Sequence, residues 1–290
     1  MEDVKKVTLI TTLYNEEKSI LNFLESYRKQ TQYAYEFIIV DGGSSDATVE
    51  IIEEYALKYV ELKIRVIVDS RCSKKYVNGP IARGRNVAIE SAKSEYIAIT
   101  DAGCILDEVW FEEIVDPFKD KNVDIVAGWY KANITNTFQQ KFADILMPEL
   151  ESVDRKNFLP SSRSLALKKS CWKSVGGYPT LTYTAEDTQF DLNLKKVGCK
   201  FYFAEKAFVY WDVPFNIKEA RTKLFSYGYG EGQLKLEFIK NIFKTFFIFF
   251  PYHIFLSKQK RKHIYLSYNM FLYNRFGFIK GLFNTVKGKS

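Results

Sequence analysis

Glu36-Phe37-Ile38-Ile39-Val40-Asp41, followed at once by Gly42-Gly43-Ser44-Ser45-Asp46-Ala47-Thr48, constrains this chain more than any other stretch. The unbroken apolar run from Phe37 to Val40 leaves no solvent face, so it reads as a strand buried on both sides, the usual state of a parallel strand covered by helices. The glycine pair turns the backbone sharply, and Ser44, Ser45 or Asp46 can cap the helix that follows. Such a strand belongs in an α/β layer structure, where ligands bind at the carboxyl ends of the strands. Asp41 stands at that end and is a ligand-binding candidate. A carboxylate that only closes the turn is the alternative.

The flanking residues repeat the pattern. Val7 to Thr12 reads as a strand left through the loop Leu13-Tyr14-Asn15-Glu16-Glu17, and a helix follows with Ile20, Leu21, Phe23, Leu24 and Tyr27 on its apolar face. A second helix from about Thr48 to Tyr59 and a third strand from Ile64 to Val68 complete a β-α-β-α-β start, the beginning of a doubly wound sheet. After the loop Asn78-Gly79-Pro80, a helix from Ile81 to Ala92 carries Arg83, Arg85 and Asn86. It leads to a buried strand, Tyr96 to Thr100, that ends in Asp101-Ala102-Gly103-Cys104. A second parallel strand thus delivers a carboxylate to the same sheet edge, which weighs against a turn-only role for Asp41. Asp124 to Tyr130 reads as a further strand, and residues 133–157 as mixed and partly helical. Thr184-Ala185-Glu186-Asp187 opens a helical pattern with Phe190, Leu192, Leu194 and Val197, closed by Gly198. Acids at a helix start also suit its dipole, the simpler account of Glu186 and Asp187.

Composition sets the class. With 290 residues, 47% of them hydrophobic, the chain can bury a full core as one large domain or a domain with an appendage. Cys72, Cys104, Cys171 and Cys199 show no CxxC or Cys/His spacing, which argues against structural zinc or a disulfide framework and suits a reduced, cytosolic protein. Met1 runs within a few residues into the first strand without an apolar leader, which fits that expectation. The net charge of +7 is uneven: from Lys235 onward there are eleven Lys and Arg against the single acid Glu237, which leaves the body mildly acidic. A basic, aromatic tail implies an anionic partner.

Assembled in order, these pieces resemble the family-2 inverting glycosyltransferases of the GT-A fold: Thr12-Leu13-Tyr14-Asn15-Glu16-Glu17, Val40-Asp41-Gly42-Gly43-Ser44-Ser45-Asp46, Gly79 with Arg85-Asn86, Asp101-Ala102-Gly103, Val175-Gly176-Gly177-Tyr178, and Glu186-Asp187. The resemblance implies a Rossmann-like, doubly wound mixed α/β sheet over residues 1–234. It implies that Asp41 reads the base of a nucleotide-sugar, with Thr12, Tyr14 and Glu16 lining the same pocket and Arg85 and Asn86 beside the nucleotide and diphosphate. Asp101 matches the first Asp of the family's Asp-x-Asp element, which holds ribose and a divalent metal, Mg²⁺ or Mn²⁺. The second Asp is replaced by Gly103, so metal binding rests on Asp101, water and diphosphate oxygens. Asp187 matches the catalytic base, and Glu186 would orient the acceptor.

The stretch with Ser162 and Arg163, together with Trp211 and the run Tyr227-Gly228-Tyr229-Gly230-Glu231-Gly232-Gln233, is the candidate acceptor or diphosphate loop region. Gly230 and Gly232 either let backbone approach the diphosphate or make a flexible loop. Trp211 either stacks on an acceptor sugar or packs in the core. The Gln-x-x-Arg-Trp element of the family's processive synthases is absent, which argues against a polymerising enzyme. Residues 235–290 form a basic, aromatic-rich helical extension too interrupted to span a bilayer, read as lying on an anionic membrane surface; packing on the catalytic domain or a dimer interface is the alternative. The resulting expectation is a single-sugar inverting transferase. It would use a nucleotide-sugar, with UDP-sugar as first choice, act on a lipid-linked or glycan acceptor in cell-envelope polysaccharide synthesis, and sit peripherally on the inner membrane face without a nucleic-acid partner. The competing reading is a catalytically inactive relative that binds membrane through its basic tail.

Overall fold

The computed structural model describes residues 6–147, 149–155, 158–248 and 261–284. Strands β1 (Val7–Leu13), β2 (Glu36–Asp41), β3 (Ile64–Val68) and β4 (Tyr96–Ile99) alternate with helices α1 (Ile20–Arg28), α2 (Thr48–Lys58) and α3 (Pro80–Ser91). β1 pairs in parallel with β2 and β4, and β2 with β3. The chain continues through β5 (Cys104–Leu106), α4 (Trp110–Val115), β6 (Ile125–Asn133), α5 (Thr137–Leu146), β7 (Leu165–Lys168), α6 (Lys169–Ser174), α7 (Glu186–Lys196) and β8 (Phe201–Asp212). Together the strands make one eight-stranded mixed sheet in the order β3-β2-β1-β4-β7-β6-β8-β5, with β7 antiparallel to both β4 and β6.

Every residue of β2 is buried, as its unbroken apolar run requires, and each such large side chain contributes about 1.5–3 kcal/mol by leaving water. Pro80 occupies the first turn of α3, where a missing amide hydrogen costs nothing. Gly84 lets α3 lie close on β1: a Cβ there would stand 2.8 Å from Thr12 Cγ2. α1 buries Ile20, Phe23, Leu24 and Tyr27, but Leu21 faces solvent, because its position one residue past Ile20 turns it off the stripe. In α7 the inward positions go to Phe190, Asp191 and Leu194, whereas Leu192 and Val197 are exposed. The apolar spacing read from the sequence therefore misplaced that helix's inner face by admitting two outward residues and omitting a carboxylate.

The chain divides into two compact units, one formed by Met1–Lys131, Val153–Thr180 and Asp187–Trp211, the other by Ala132–Ser152, Leu181–Glu186 and Asp212–Ser290. The second unit contains α5, α8 (Ile217–Gln233), α9 (Phe238–Phe246) and α10 (Ile264–Phe283). The charge step at Lys235 thus falls inside this unit rather than at its edge. Residues 227–233 are not a loop: they are the last two turns of α8. Their glycines face packing rather than open space. A Cβ on Gly228 would overlap the Asn274 carbonyl of α10, one on Gly232 the Phe278 carbonyl, and one on Gly230 the side chain and backbone of Thr184. Gly277 and Gly281 of α10 return the same contact against Phe225 and Tyr229. Among the described residues, no helix is long and apolar enough to cross a membrane. The basic residues Lys258, Lys260, Lys287 and Lys289 lie outside the described residues.

Candidate active site

The loop after β1 and the turn after β2 are tied together at the carboxyl edge of the sheet. Asn15, held at φ 54°, donates its backbone N–H to Ser44 Oγ (2.7 Å) and accepts the Ser45 N–H on its side chain (2.9 Å). The Glu16 N–H donates to Thr48 Oγ1 at 2.8 Å, while Tyr14 is exposed beside it and Thr12 is half-buried. Asp41 closes this turn. Its Oδ2 accepts the Gly43 and Ser44 amides at 2.7 and 2.8 Å, and Oδ1 accepts the Ser44 hydroxyl. The residue has no exposed surface. The carboxylate that the resemblance implies for the base also shapes this turn.

Asp101, at the end of β4, is partly open and lies between two arginines. Arg85 Nη2 of α3, almost fully buried, donates to Asp101 Oδ1 at 2.7 Å, and Arg163 Nε lies 3.8 Å from Oδ2. Burial of Arg85 is sustainable because its charge is paired and hydrogen-bonded. Arg163 also lies over the Trp211 ring, 4.3 Å from its centroid, and near Tyr130 at 5.5 Å. One face of Trp211 is thus covered by a guanidinium, so the residue supports Arg163 within a mostly buried setting.

Asn86 is the anchor of the Gly176-Gly177-Tyr178 turn. Its Oδ1 accepts the Tyr178 N–H (2.8 Å) and the Trp172 indole N–H (2.9 Å), and its Nδ2 donates to the Tyr178 carbonyl (2.8 Å). Both bonds to Oδ1 and one from Nδ2 serve this turn, so Asn86 has a structural role beside the ligand contact expected for it. Gly177 sits at φ +84°, and a Cβ there would come 2.8 Å from Asn86 Oδ1. Tyr178, in turn, stacks on Phe190 of α7 (3.8 Å between centroids), shares a 3.0 Å hydrogen bond with Ser162 Oγ and lies 5.3 Å from the Arg85 guanidinium. Burial raises its phenol pKa far above the usual range, so it acts as a neutral strut. Ser162 is buried and serves that strut; its neighbour Arg163 is the one that reaches Asp101.

α7 presents the remaining carboxylates. Asp187, in its first turn and half-buried, accepts the Thr188 N–H at 2.8 Å. The preceding Glu186 is buried. Asp191, one turn further on, is buried with neither carboxylate oxygen hydrogen-bonded. Desolvation, then the charge of Asp187, push its pKa well above the ordinary carboxylate range, against the weaker opposing pull of Lys195 and Arg85. Asp191 therefore holds its proton to higher pH than an ordinary carboxylate does. Asp191, Tyr130 and Tyr178 were not legible as site residues; only the i, i+4 spacing from Asp187 could have pointed to Asp191.

The donor set limits what a cation would meet here. No group of three or more His, Cys, Asp or Glu side chains able to hold a metal occurs among the described residues. Gly103 supplies no side chain and has nothing within 4 Å of where a Cβ would stand. Asp101 fits as a single oxygen ligand that an ion would share with Arg85 and Arg163, the rest of its shell coming from water and a phosphorylated substrate.

A mixed eight-stranded sheet with these parallel and antiparallel strands has the GT-A type of fold. Residues 8–169 match the sequence profile described as glycosyl transferase family 2, and the chain belongs to that family. It is 25% identical over 203 residues to the glycosyltransferase AglE of Haloferax volcanii, covering 68% of this chain but only 64% of that relative. It is 24% identical over 320 residues to a cholesterol galactosyltransferase of Borreliella burgdorferi, covering 97% of this chain and 86% of the relative. In fold it is similar to the mannosyltransferase PcManGT of Pyrobaculum calidifontis, solved with GDP-Man and Mn²⁺, with a TM-score of 0.58 at 18% identity over 96% of this chain and 73% of that one.

Proposed function

We propose that the chain transfers one sugar, with inversion at the anomeric carbon, from a nucleotide-sugar to a hydroxyl of a lipid-linked or glycan acceptor at a membrane surface. The observation that carries this reading is Asp101 held between Arg85 and Arg163 in the unit that also contains Asp187. Asp187 takes the proton of the acceptor hydroxyl as that oxygen bonds to the anomeric carbon and the bond from carbon to the diphosphate oxygen breaks. The nucleoside diphosphate leaves with the electron pair, and Arg85 and Arg163 balance the charge that builds on it. A divalent cation, when bound through Asp101, supplies further charge neutralisation at the same diphosphate. Trp211 keeps Arg163 in place, and Glu186 orients Asp187 or the acceptor. The missing Gln-x-x-Arg-Trp element supports single transfer over polymerisation. A membrane-associated acceptor, reached from the cytoplasmic face in cell-envelope synthesis, is supported by the excess of basic residues from Lys235 onward and by the similarity to the Borreliella cholesterol galactosyltransferase. UDP-sugar is the first donor to test, with GDP-sugar next because of the donor named with PcManGT.

The test is thermal shift and donor hydrolysis against UDP-, GDP- and dTDP-sugars with Mg²⁺, Mn²⁺ or EDTA, on wild type, Asp101→Asn and Asp187→Asn. One donor class should shift the melting temperature, and Asp101→Asn should abolish that shift. Asp187→Asn should keep donor binding and lower turnover by about 10²–10⁴-fold. A donor shift that survives EDTA would assign charge neutralisation to the two arginines alone. Silence across the panel would favour the inactive, membrane-binding relative.

A further inference from the structure

The second unit buries a polar network beside its apolar residues. Asn241 of α9 and Arg275 of α10 are buried and hydrogen-bonded to each other at 2.9 Å, with Glu231 of α8 3.3 Å from the same guanidinium. α8 and α10 meet through glycines, backbone against backbone. The large apolar side chains point the other way. In α9, Ile239 (83% exposed), Phe243 and Phe246 recur at helical spacing on the face opposite Asn241. In α10, Tyr265 (91% exposed), Phe276 and Phe283 fall eleven and seven residues apart, a single line along the helix, while Met270, Gly277, Phe278 and Gly281 are buried. Polar groups and small residues inside with aromatics outside is the arrangement helices adopt when their surroundings are apolar rather than aqueous.

We propose that the outward stripes of α9 and α10 are the surface by which this chain lies in the interface of an anionic lipid bilayer. The aromatic and aliphatic side chains enter the headgroup and upper acyl region, and the exposed cations described after residue 234 stay at the phosphates. Those cations are Lys235, Lys240, Arg261, Lys262 and Lys280, against Glu237 as the exposed acid among the described residues of 235–290. This charge balance selects a lipid surface over an acidic or neutral apolar protein partner. Neither helix is long and apolar enough to cross, so the attachment is interfacial. The inference deepens the membrane reading proposed above and names its contact residues.

The test uses the full chain in co-sedimentation with vesicles of phosphatidylglycerol and phosphatidylcholine, against phosphatidylcholine alone, over a salt series. Ile239→Ser/Phe243→Ser/Phe246→Ser and Tyr265→Ser/Phe276→Ser/Phe283→Ser change only exposed positions, and thermal unfolding checks that they fold. Each triple variant should bind vesicles at least about tenfold more weakly, with the salt-resistant part lost, since each removes apolar burial. Lys235→Gln/Lys240→Gln should lose the salt-sensitive part instead. Donor hydrolysis without vesicles should be unchanged in all three. Triple variants that bind like wild type would overturn the assignment and leave membrane attachment to other residues. A wild type that ignores vesicles while still hydrolysing donor would overturn both membrane statements and leave the transferase standing. A wild-type dimer that the triple variants dissociate, without vesicle binding, would make the stripes a self-association surface.

Discussion

Asp191 carries a cost that its neighbours do not. An unfolded chain releases the Asp191 proton near the ordinary carboxylate value, whereas the native protein, with the side chain desolvated and Asp187 beside it, holds the proton to a higher pH. The native form therefore binds more protons than the unfolded form between those two values, and stability falls as pH rises through that window. Asp191→Asn removes this loss without changing volume. It should match wild type at pH below about 4 and melt at least about 2 °C higher at pH 8, which calorimetry across pH would check. A melting gap independent of pH would mean that Asp191 is paired in solution. Of the residues read from the sequence as site candidates, Arg85, Asp101 and Arg163 are brought together by the fold. The sequence did not reveal that Asn86 and Asp41 also hold the Tyr178 turn and the Gly-Gly turn. Which way a polar side chain turns depends on the tertiary partner it meets, and residue type alone does not carry that.

Among the elements, the parallel half of the sheet was readable because buried strands and amphipathic helices differ in period and alternate cleanly from β1 to β4. β8 was not, since Glu205-Lys206 interrupts its alternation within a strand of twelve residues. α8 was misread for a physical reason. Three glycines in five residues lower intrinsic helix propensity enough to look like a loop, yet here they admit α10 at backbone distance. Packing that close should tolerate no added atom. Gly228→Ala gains about 0.5–1 kcal/mol of helix propensity but must push α10 away, and overpacking of this kind costs about 1–3 kcal/mol. Denaturant unfolding should therefore show a net loss for Gly228→Ala, whereas a gain would mean that α8 and α10 separate freely.

At the scale of the whole molecule, the charge step at Lys235 marks the expected start of a C-terminal extension; α10 packs on α8, and Arg275 and Asn241 share a buried network with Glu231. A chain ended after residue 234 would leave the glycine face of α8 in water and Glu231 without Arg275. Its soluble yield and melting temperature should fall well below wild type, measurable by size-exclusion chromatography and thermal unfolding. A stable, monomeric 1–234 fragment would restore the two-domain division at 235. Loss of vesicle binding in such a fragment would not separate lipid contact from misfolding, so point changes on the exposed stripes are the informative ones. Gly103 has a different kind of consequence. The space beside it is open, so nothing in the packing stands between this chain and a second carboxylate two residues after Asp101. Gly103→Asp should therefore leave the melting temperature of the protein unchanged, so that any effect of Mg²⁺ or Mn²⁺ gained by the variant reports on the added carboxylate and not on altered packing.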